Sequence, residues 1–139
     1  MDVLFADELV LAIPLLHVSK ASSAERFYCN QLGFQREFVH RPNGVEGDPC
    51  YLGISRDGVW LHLSSFPGDG VSGGVANLIV EAVDDLHAEF VAKGVPIDTA
   101  PVDQTWGTRE MYIKDSDRNC LASSSHRGQT SSIFLFARI

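Results

Sequence analysis

The chain has 139 residues, 45% of them hydrophobic and 21% charged, which is the balance of a single globular domain. Its net charge of -7 argues against nucleic acid as a partner, because phosphate binding needs a basic surface. No apolar run approaches the roughly 18 residues of a membrane span, and acidic residues stand where an export signal needs basic ones. We therefore expect a cytoplasmic protein with no membrane partner.

The first half of the chain predicts one helix among four strands. Ser22 and Glu25 have capping-box spacing, which predicts the start of a helix that Gly33 ends. Pro14 falls inside the first strand and favours an edge or a bulge. The predicted elements are a strand at 9–18, a helix between Ser22 and Gly33, and strands at 34–40, 50–55 and 59–65, the last two joined by a hairpin turn.

A glycine-rich linker at 66–74 precedes a second half with the same order. Asp84 or Asp85 is the expected cap of a helix whose apolar face holds Leu86 and Phe90. The predicted elements are a strand at 75–83, a helix at 84–94, a long loop containing Pro96 and Pro101, a strand at 109–115 and a last strand at 120–124.

The two halves match each other at a long offset, which indicates a duplication. Phe27 matches Phe90 at an offset of 63, and the turn at 57–58 matches the one at 117–118 at an offset of 60. The sequence therefore predicts an α+β fold of two βαβββ modules, each a curved sheet with a helix on its back, forming an open mixed sheet around a cleft. Within a single domain of 1–139, the modules span 9–66 and 74–123, and 124–139 is an atypical tail.

The segments AERFYCNQLGF, REFV, DGVWLHLS, VDDLHAEF and QTWGTREMYIKDSDRNCL resemble the vicinal oxygen chelate family. That family includes glyoxalase I, extradiol dioxygenases and bleomycin-resistance proteins, and the resemblance, over residues 9–122, is closest to the last of these. It implies a homodimer whose ligand clefts are shared between chains, and an N-terminal strand that can be exchanged between protomers.

The resemblance also implies where a divalent metal would bind in enzymes of this family. The ligand positions fall on Ile13, His62, Ala76 and Ala122, and three of these side chains cannot hold a metal. By strand alternation His17 shares a face with Ile13, so His17 and His62 are weak candidates for a displaced metal site. We therefore expect no metal, no other cofactor and no catalytic residue.

Without a metal, the resemblance implies binding by aromatic and acidic side chains. Alternation places Glu37 and Phe38 on opposite faces of a regular strand, so both serve one site only at an edge or a dimer crevice. The candidate ligand-binding residues are Glu37, Phe38, Ser64, Trp106 and Gly107, with His17 and His62 in or near the cleft.

Three further expectations concern single residues. Trp60 is expected to pack in the core or on the back of the sheet, and Arg109 with Glu110 to form a structural pair or to flank an interface. Arg118 occupies a turn position where the resembled family usually has glycine, so a left-handed turn there would be strained.

The leading functional hypothesis is a metal-free protein that sequesters a planar or cationic small molecule, such as a glycopeptide drug, and so confers antibiotic resistance. The alternative is a glyoxalase-like lyase or a dioxygenase with a displaced metal at His17 and His62. A third hypothesis is a binding or regulatory module for an unrelated metabolite. Metal content distinguishes the enzyme from the binding proteins, and quenching of tryptophan fluorescence by bleomycin tests the drug.

Overall fold

A computed structural model describes residues 8–44 and 47–127 of the chain. The first module contains β1 (Leu15–His17), α1 (Ala21–Glu25) continued by a π-helical segment (Arg26–Gln31), β2 (Gln35–His40), β3 (Tyr51–Arg56) and β4 (Val59–Ser64). The second contains β5 (Val75–Ile79), α2 (Val83–Ala92), β6 (Thr99–Asp103), β7 (Thr108–Lys114) and β8 (Cys120–His126). No helix among the described residues is long and apolar enough to cross a bilayer.

Each module forms one four-stranded mixed sheet. The strand orders are β1-β4-β3-β2 and β5-β8-β7-β6. β1 pairs in parallel with β4, and β5 pairs in parallel with β8. The remaining neighbours pair antiparallel. This duplicated βαβββ topology confirms the predicted α+β fold class, whereas the homodimer stays a prediction.

The helix covers one face of each sheet, and strand alternation decides which residues it buries. In β4, Leu61 and Leu63 are fully buried in the core. Trp60 and His62 therefore point to the opposite face, which we call the open face of the first sheet. The expectation that Trp60 packs in the core or on the back of the sheet is wrong, because Trp60 lies two residues before His62 and so shares the open face with it.

Both helices begin earlier than predicted and are capped by other elements. The N-terminal backbone amide of α1, at Ala21, donates to the Asp48 carboxylate, so Ser22 lies inside the helix and forms no capping box. The first amide of α2, at Val83, donates to Ser125. Asp84 lies in the first turn rather than at the cap, where it complements the helix dipole.

At β1 and α1, the residues of the first half match those of the second half at a different offset from the predicted one. The helices start at Ala21 and Val83, so Tyr28, not Phe27, is equivalent to Phe90. Correspondingly, Pro14 rather than Ile13 is equivalent to Ala76. The π-helical segment accounts for one of the two residues by which the offset later changes, because a π-turn accommodates one residue more than an α-turn.

Two strand predictions also need correction. The predicted long loop after α2 contains β6, whose irregular pairing with β7 accommodates Pro101 in an edge strand. At the other end of the chain, β1 starts after Pro14, and Leu9 and Val10 are 99% and 91% exposed. β8 continues to His126, while 128–139, including the apolar part of the tail, lie outside the described residues.

A buried polar cluster joins the two modules, and we call it the junction cluster. The Tyr28 hydroxyl donates to the carboxylate of Asp115 at 2.8 Å. The Asn119 side chain is fully buried and donates to the His17 carbonyl and to Asp115, while its oxygen accepts from the Gly74 amide. Because every member has partners, these buried polar groups hold β1 and the turn before β8 in a fixed relation.

Candidate functional site

Four aromatic rings lie together on the open face of the first sheet. The rings of Phe38 and Tyr51 are nearly parallel at 6.1 Å between centroids. His62 lies edge-on to both rings, 5.4 Å from Phe38 and 5.2 Å from Tyr51, and Trp60 flanks it at 6.4 Å. We call these four residues the aromatic platform.

A glycine gives the platform its shape. Gly53 is the partner of Phe38 across β2 and β3, and a Cβ atom there would come within 2.1 Å of the Phe38 ring. The ring can therefore lie against the sheet backbone while 41% of the Phe38 surface is still exposed. An exposed ring face held in place by its neighbours suits stacking by a planar ligand.

A β-bulge brings Glu37 to the same face as Phe38. The strand register passes from Arg36 opposite Ile54 to Phe38 opposite Gly53, which leaves Glu37 as the extra residue. Its carboxylate accepts a 2.6 Å hydrogen bond from Ser55, whose side chain shares the open face with Gly53. The alternation argument that separated Glu37 from Phe38 is thus wrong, because it assumed a regular strand.

Hydrogen bonding fixes the polar part of the platform. The Tyr51 hydroxyl and His62 Nδ1 are 2.7 Å apart. Burial lowers the pKa of His62, so its ring is neutral at pH 7. Burial, with the negative charge of Asp69, raises the pKa of Tyr51, so the phenol keeps its proton. The platform itself is therefore uncharged, and Glu37 supplies a negative charge at its edge.

His17 and Ser64 lie further along the same face and contact the linker. The register pairs His17 with Ser64 and His62 with Leu15, so both histidines point to the open face. Asp69 accepts a 2.8 Å hydrogen bond from Ser64, and its carbonyl lies 3.1 Å from His17 Nδ1. The glycine-rich linker thus folds over this end of the sheet.

The second sheet carries a different polar group on the face away from its helix. Glu110 accepts hydrogen bonds from the Trp106 indole at 3.0 Å, from the Thr108 hydroxyl at 2.6 Å, and from Tyr112. Burial acts to raise the pKa of Glu110, but these hydrogen bonds outweigh it and the net pKa lies below the usual value. Glu110 is therefore ionised at pH 7.

Trp106 lies in the loop between β6 and β7 and is 65% exposed. The next residue, Gly107, has a φ of 95°, a conformation that the tight turn into β7 requires and that favours glycine. Arg109 points to the helix side, where it binds Asp84 and Asp103. The expected pairing of Arg109 with Glu110 is therefore wrong, since neighbours in a strand face opposite ways.

The donor set of the open face does not fit the metal of the vicinal oxygen chelate enzymes. Ala122 on β8 and Ala76 on β5 occupy two of the ligand positions, and Pro14, before β1, is equivalent to Ala76 in the repeat. The side chains of these three residues cannot bind a metal. Across residues 8–44 and 47–127, no three His, Cys, Asp or Glu side chains converge as possible ligands. His62 is instead engaged through Nδ1 by Tyr51.

Of the sequence-predicted site residues, the structure brings Glu37, Phe38 and His62 together. His17 and Ser64 share their face beside Asp69, while Trp106 and Gly107 belong to the other module. Tyr51, Glu110 and Tyr112 also lie at these sites in the structure, although they are not among the candidate ligand-binding residues selected from the sequence. Strand alternation was the available signal, because Tyr51 precedes the buried Leu52 and Glu110 precedes the buried Met111, which places both side chains on the faces away from the helices.

The fold and the sequence are both similar to those of known proteins. A family described as glyoxalase superfamily protein matches residues 2–127. A search of curated proteins finds no significant match. The bleomycin resistance determinant encoded on the transposon Tn5 is 22% identical, with a TM-score of 0.69, covering 86% of this chain and 99% of its own.

Two further solved structures are similar. The bleomycin-binding protein from bleomycin-producing Streptomyces verticillus, complexed with copper(II)-bleomycin, is 22% identical, with a TM-score of 0.68, covering 88% of this chain and 100% of its own. An antibiotic-binding protein from Streptomyces sp. CB03234 is 23% identical, with a TM-score of 0.64, covering 86% and 98%. At these identities the structures establish the fold, and the family match covers most of the sequence. The chain belongs to the glyoxalase superfamily.

Proposed function

We propose that this protein binds and sequesters a planar aromatic small molecule with a cationic group, without a metal and without catalysis. The observation that carries this proposal is the aromatic platform, with an exposed Phe38 ring seated over Gly53 and the Glu37 carboxylate at its edge. Stacking on an aromatic ring adds roughly 0.5–1.5 kcal/mol beyond area burial, and a nearby carboxylate favours a cation. The antibiotic-binding role of similar structures supports a ligand of this kind.

The site is proposed to be completed in a homodimer. The platform is an open face of the first sheet, and Trp106 with Glu110 lies on the second sheet. In a symmetric dimer, the second sheet of one protomer would cover the first sheet of its partner and form two equivalent crevices. The Glu110 carboxylate would then add a second negative charge to each crevice. Sedimentation equilibrium tests this arrangement, because a monomer at micromolar concentration would refute it.

Titration with bleomycin and with proflavine, a simple planar cation, tests the binding function. The fluorescence of each tryptophan is measured in the variant that lacks the other: Trp60 in Trp106→Phe, and Trp106 in Trp60→Phe. We expect saturable quenching of the platform tryptophan, and an affinity about tenfold weaker in Phe38→Ala, which corresponds to about 1.4 kcal/mol. Val39→Ala is the matched control, since Val39 is a neighbouring, similarly exposed residue on the other face of β2.

Two outcomes would contradict the proposal. The first is an unchanged fluorescence signal with both ligands up to about 100 μM, where any binding would be weaker than about -5.5 kcal/mol. The second is about one metal ion per chain after exposure to Zn, Ni, Mn or Fe(II), lost in His62→Ala. That result would favour the metal-dependent lyase or dioxygenase instead.

A further inference from the structure

The two modules meet at two places, the first and second junctions, which the internal repeat makes equivalent. The two junctions differ in the side chains that occupy them. At the first junction, Asn119 and Asp115 of the second module reach β1 and Tyr28 of the first. At the second junction, the residue equivalent to Asn119 is Val59, because each immediately precedes the matching strand residue, Cys120 or Trp60. The Val59 side chain has no polar atom with which to reach β5, and Val59 is 46% exposed.

The second junction is an open groove of about 500 Å³, within the range of drug-sized ligand sites. We call it the junction groove. Most of its apolar lining comes from the end of β5, from the core-facing side of α2 and from the hairpin between β3 and β4, and it includes Val59, Leu78, Val80, Leu86 and Phe90. It lies on the helix side of the sheets and does not share any residue with the aromatic platform.

The charges around the junction groove are predominantly negative. Arg56 is its basic residue, and its guanidinium is already engaged by Glu89 through two hydrogen bonds of 2.9 Å and by Asp57 at 3.4 Å. Glu81 and Asp85 also line the groove, are exposed, and form no ion pair within the described part of the chain. The groove thus combines an apolar floor with two uncompensated carboxylates.

We propose that the junction groove is a second binding site, which takes an amphipathic amine. The apolar chain or ring of such a ligand would lie over Leu78, Leu86 and Phe90. Its protonated nitrogen would lie between Glu81 and Asp85, where the overall negative charge of the protein also favours a cation. An anion of the same apolar shape would be repelled, and a neutral molecule would lack the ionic contribution.

Nuclear magnetic resonance titration with decylammonium, decanol and decanoate tests this site, with the two ions kept below their micelle concentrations and the alcohol below its solubility limit. We expect decylammonium to shift the backbone amide signals of β5, α2 and Val59, with at least fivefold tighter binding than decanoate. The double variant Glu81→Gln, Asp85→Asn should abolish the difference between decylammonium and decanol. Asp117→Asn is the matched control, since it removes one acidic charge in the turn at the filled junction, and it should preserve that difference.

Three results would overturn the proposal. Equal binding of decanoate and decylammonium would show that the two carboxylates do not favour a cation over an anion. Signal changes confined to Phe38, Tyr51 and their neighbours would place the amine on the aromatic platform instead. No shift in the junction groove at millimolar decylammonium would show that the groove does not bind the amine.

Discussion

Replacing Asn119 by alanine should destabilise the protein strongly, because the side chain joins the two modules from a fully buried position. Three hydrogen bonds would be lost: 2.8 Å from the Gly74 amide, 2.7 Å to the His17 carbonyl and 2.9 Å to the Asp115 carboxylate. A neutral hydrogen bond contributes about 1 kcal/mol and one to a charged group about 1.5–3 kcal/mol. We therefore expect a loss of about 3.5–5 kcal/mol.

The assay is urea unfolding of Asn119→Ala and the parent protein, followed by circular dichroism. A loss of this size should lower the midpoint at an unchanged m-value and lower Tm by roughly 15 °C. Asn77→Ala is the matched control, because Asn77 is exposed and accepts a single 3.2 Å hydrogen bond from Ser124. It should change stability by less than about 1 kcal/mol.

A loss below about 1 kcal/mol in Asn119→Ala would refute this reasoning, since it would mean that water replaces the side chain at no net cost. A double-mutant cycle with Tyr28→Phe extends the test. Both side chains donate to the same Asp115 oxygen, so the cycle should show a coupling free energy of about 0.5 kcal/mol or more. Additive losses would show that the junction cluster does not act as a unit.

Three other predictions follow from single contacts. Arg118 has a φ of 67°, so Arg118→Gly should raise the free energy of unfolding by up to about 1 kcal/mol; a decrease in urea unfolding would contradict the strain argument. Arg56 holds the pKa of Glu89 below its usual value, so Glu89→Gln should cost about 0.5–1 kcal/mol at pH 7, and the difference should shrink as the pH falls below 4.5 and vanish below the lowered pKa. An undiminished difference in acid would show that the loss is not ionic. Gly53→Ala should displace the Phe38 ring and weaken planar-ligand binding at least fivefold in the fluorescence titration, with far-UV circular dichroism unchanged; unaltered affinity would show that the ring position is irrelevant.

The local pattern of the sequence determined the modules and their duplication. Helical spacing of Leu86 and Phe90 and glycine at helix ends are properties of neighbouring residues, and the structure places them as that pattern predicts. The equivalence of the turns before β4 and β8 was also readable, because both turns precede matched strands. The absence of metal-binding side chains at Ala76 and Ala122 needed only the residue types.

Tertiary structure decided which side chains meet. The bulge that turns Glu37 towards Phe38 depends on the register with β3, and Gly53 lies under that ring only once the sheet has formed. The helix caps at Asp48 and Ser125 come from distant segments, so local capping signals could not find them. The filled and open junctions differ through contacts between the modules, and spacing along the chain carries no record of such contacts.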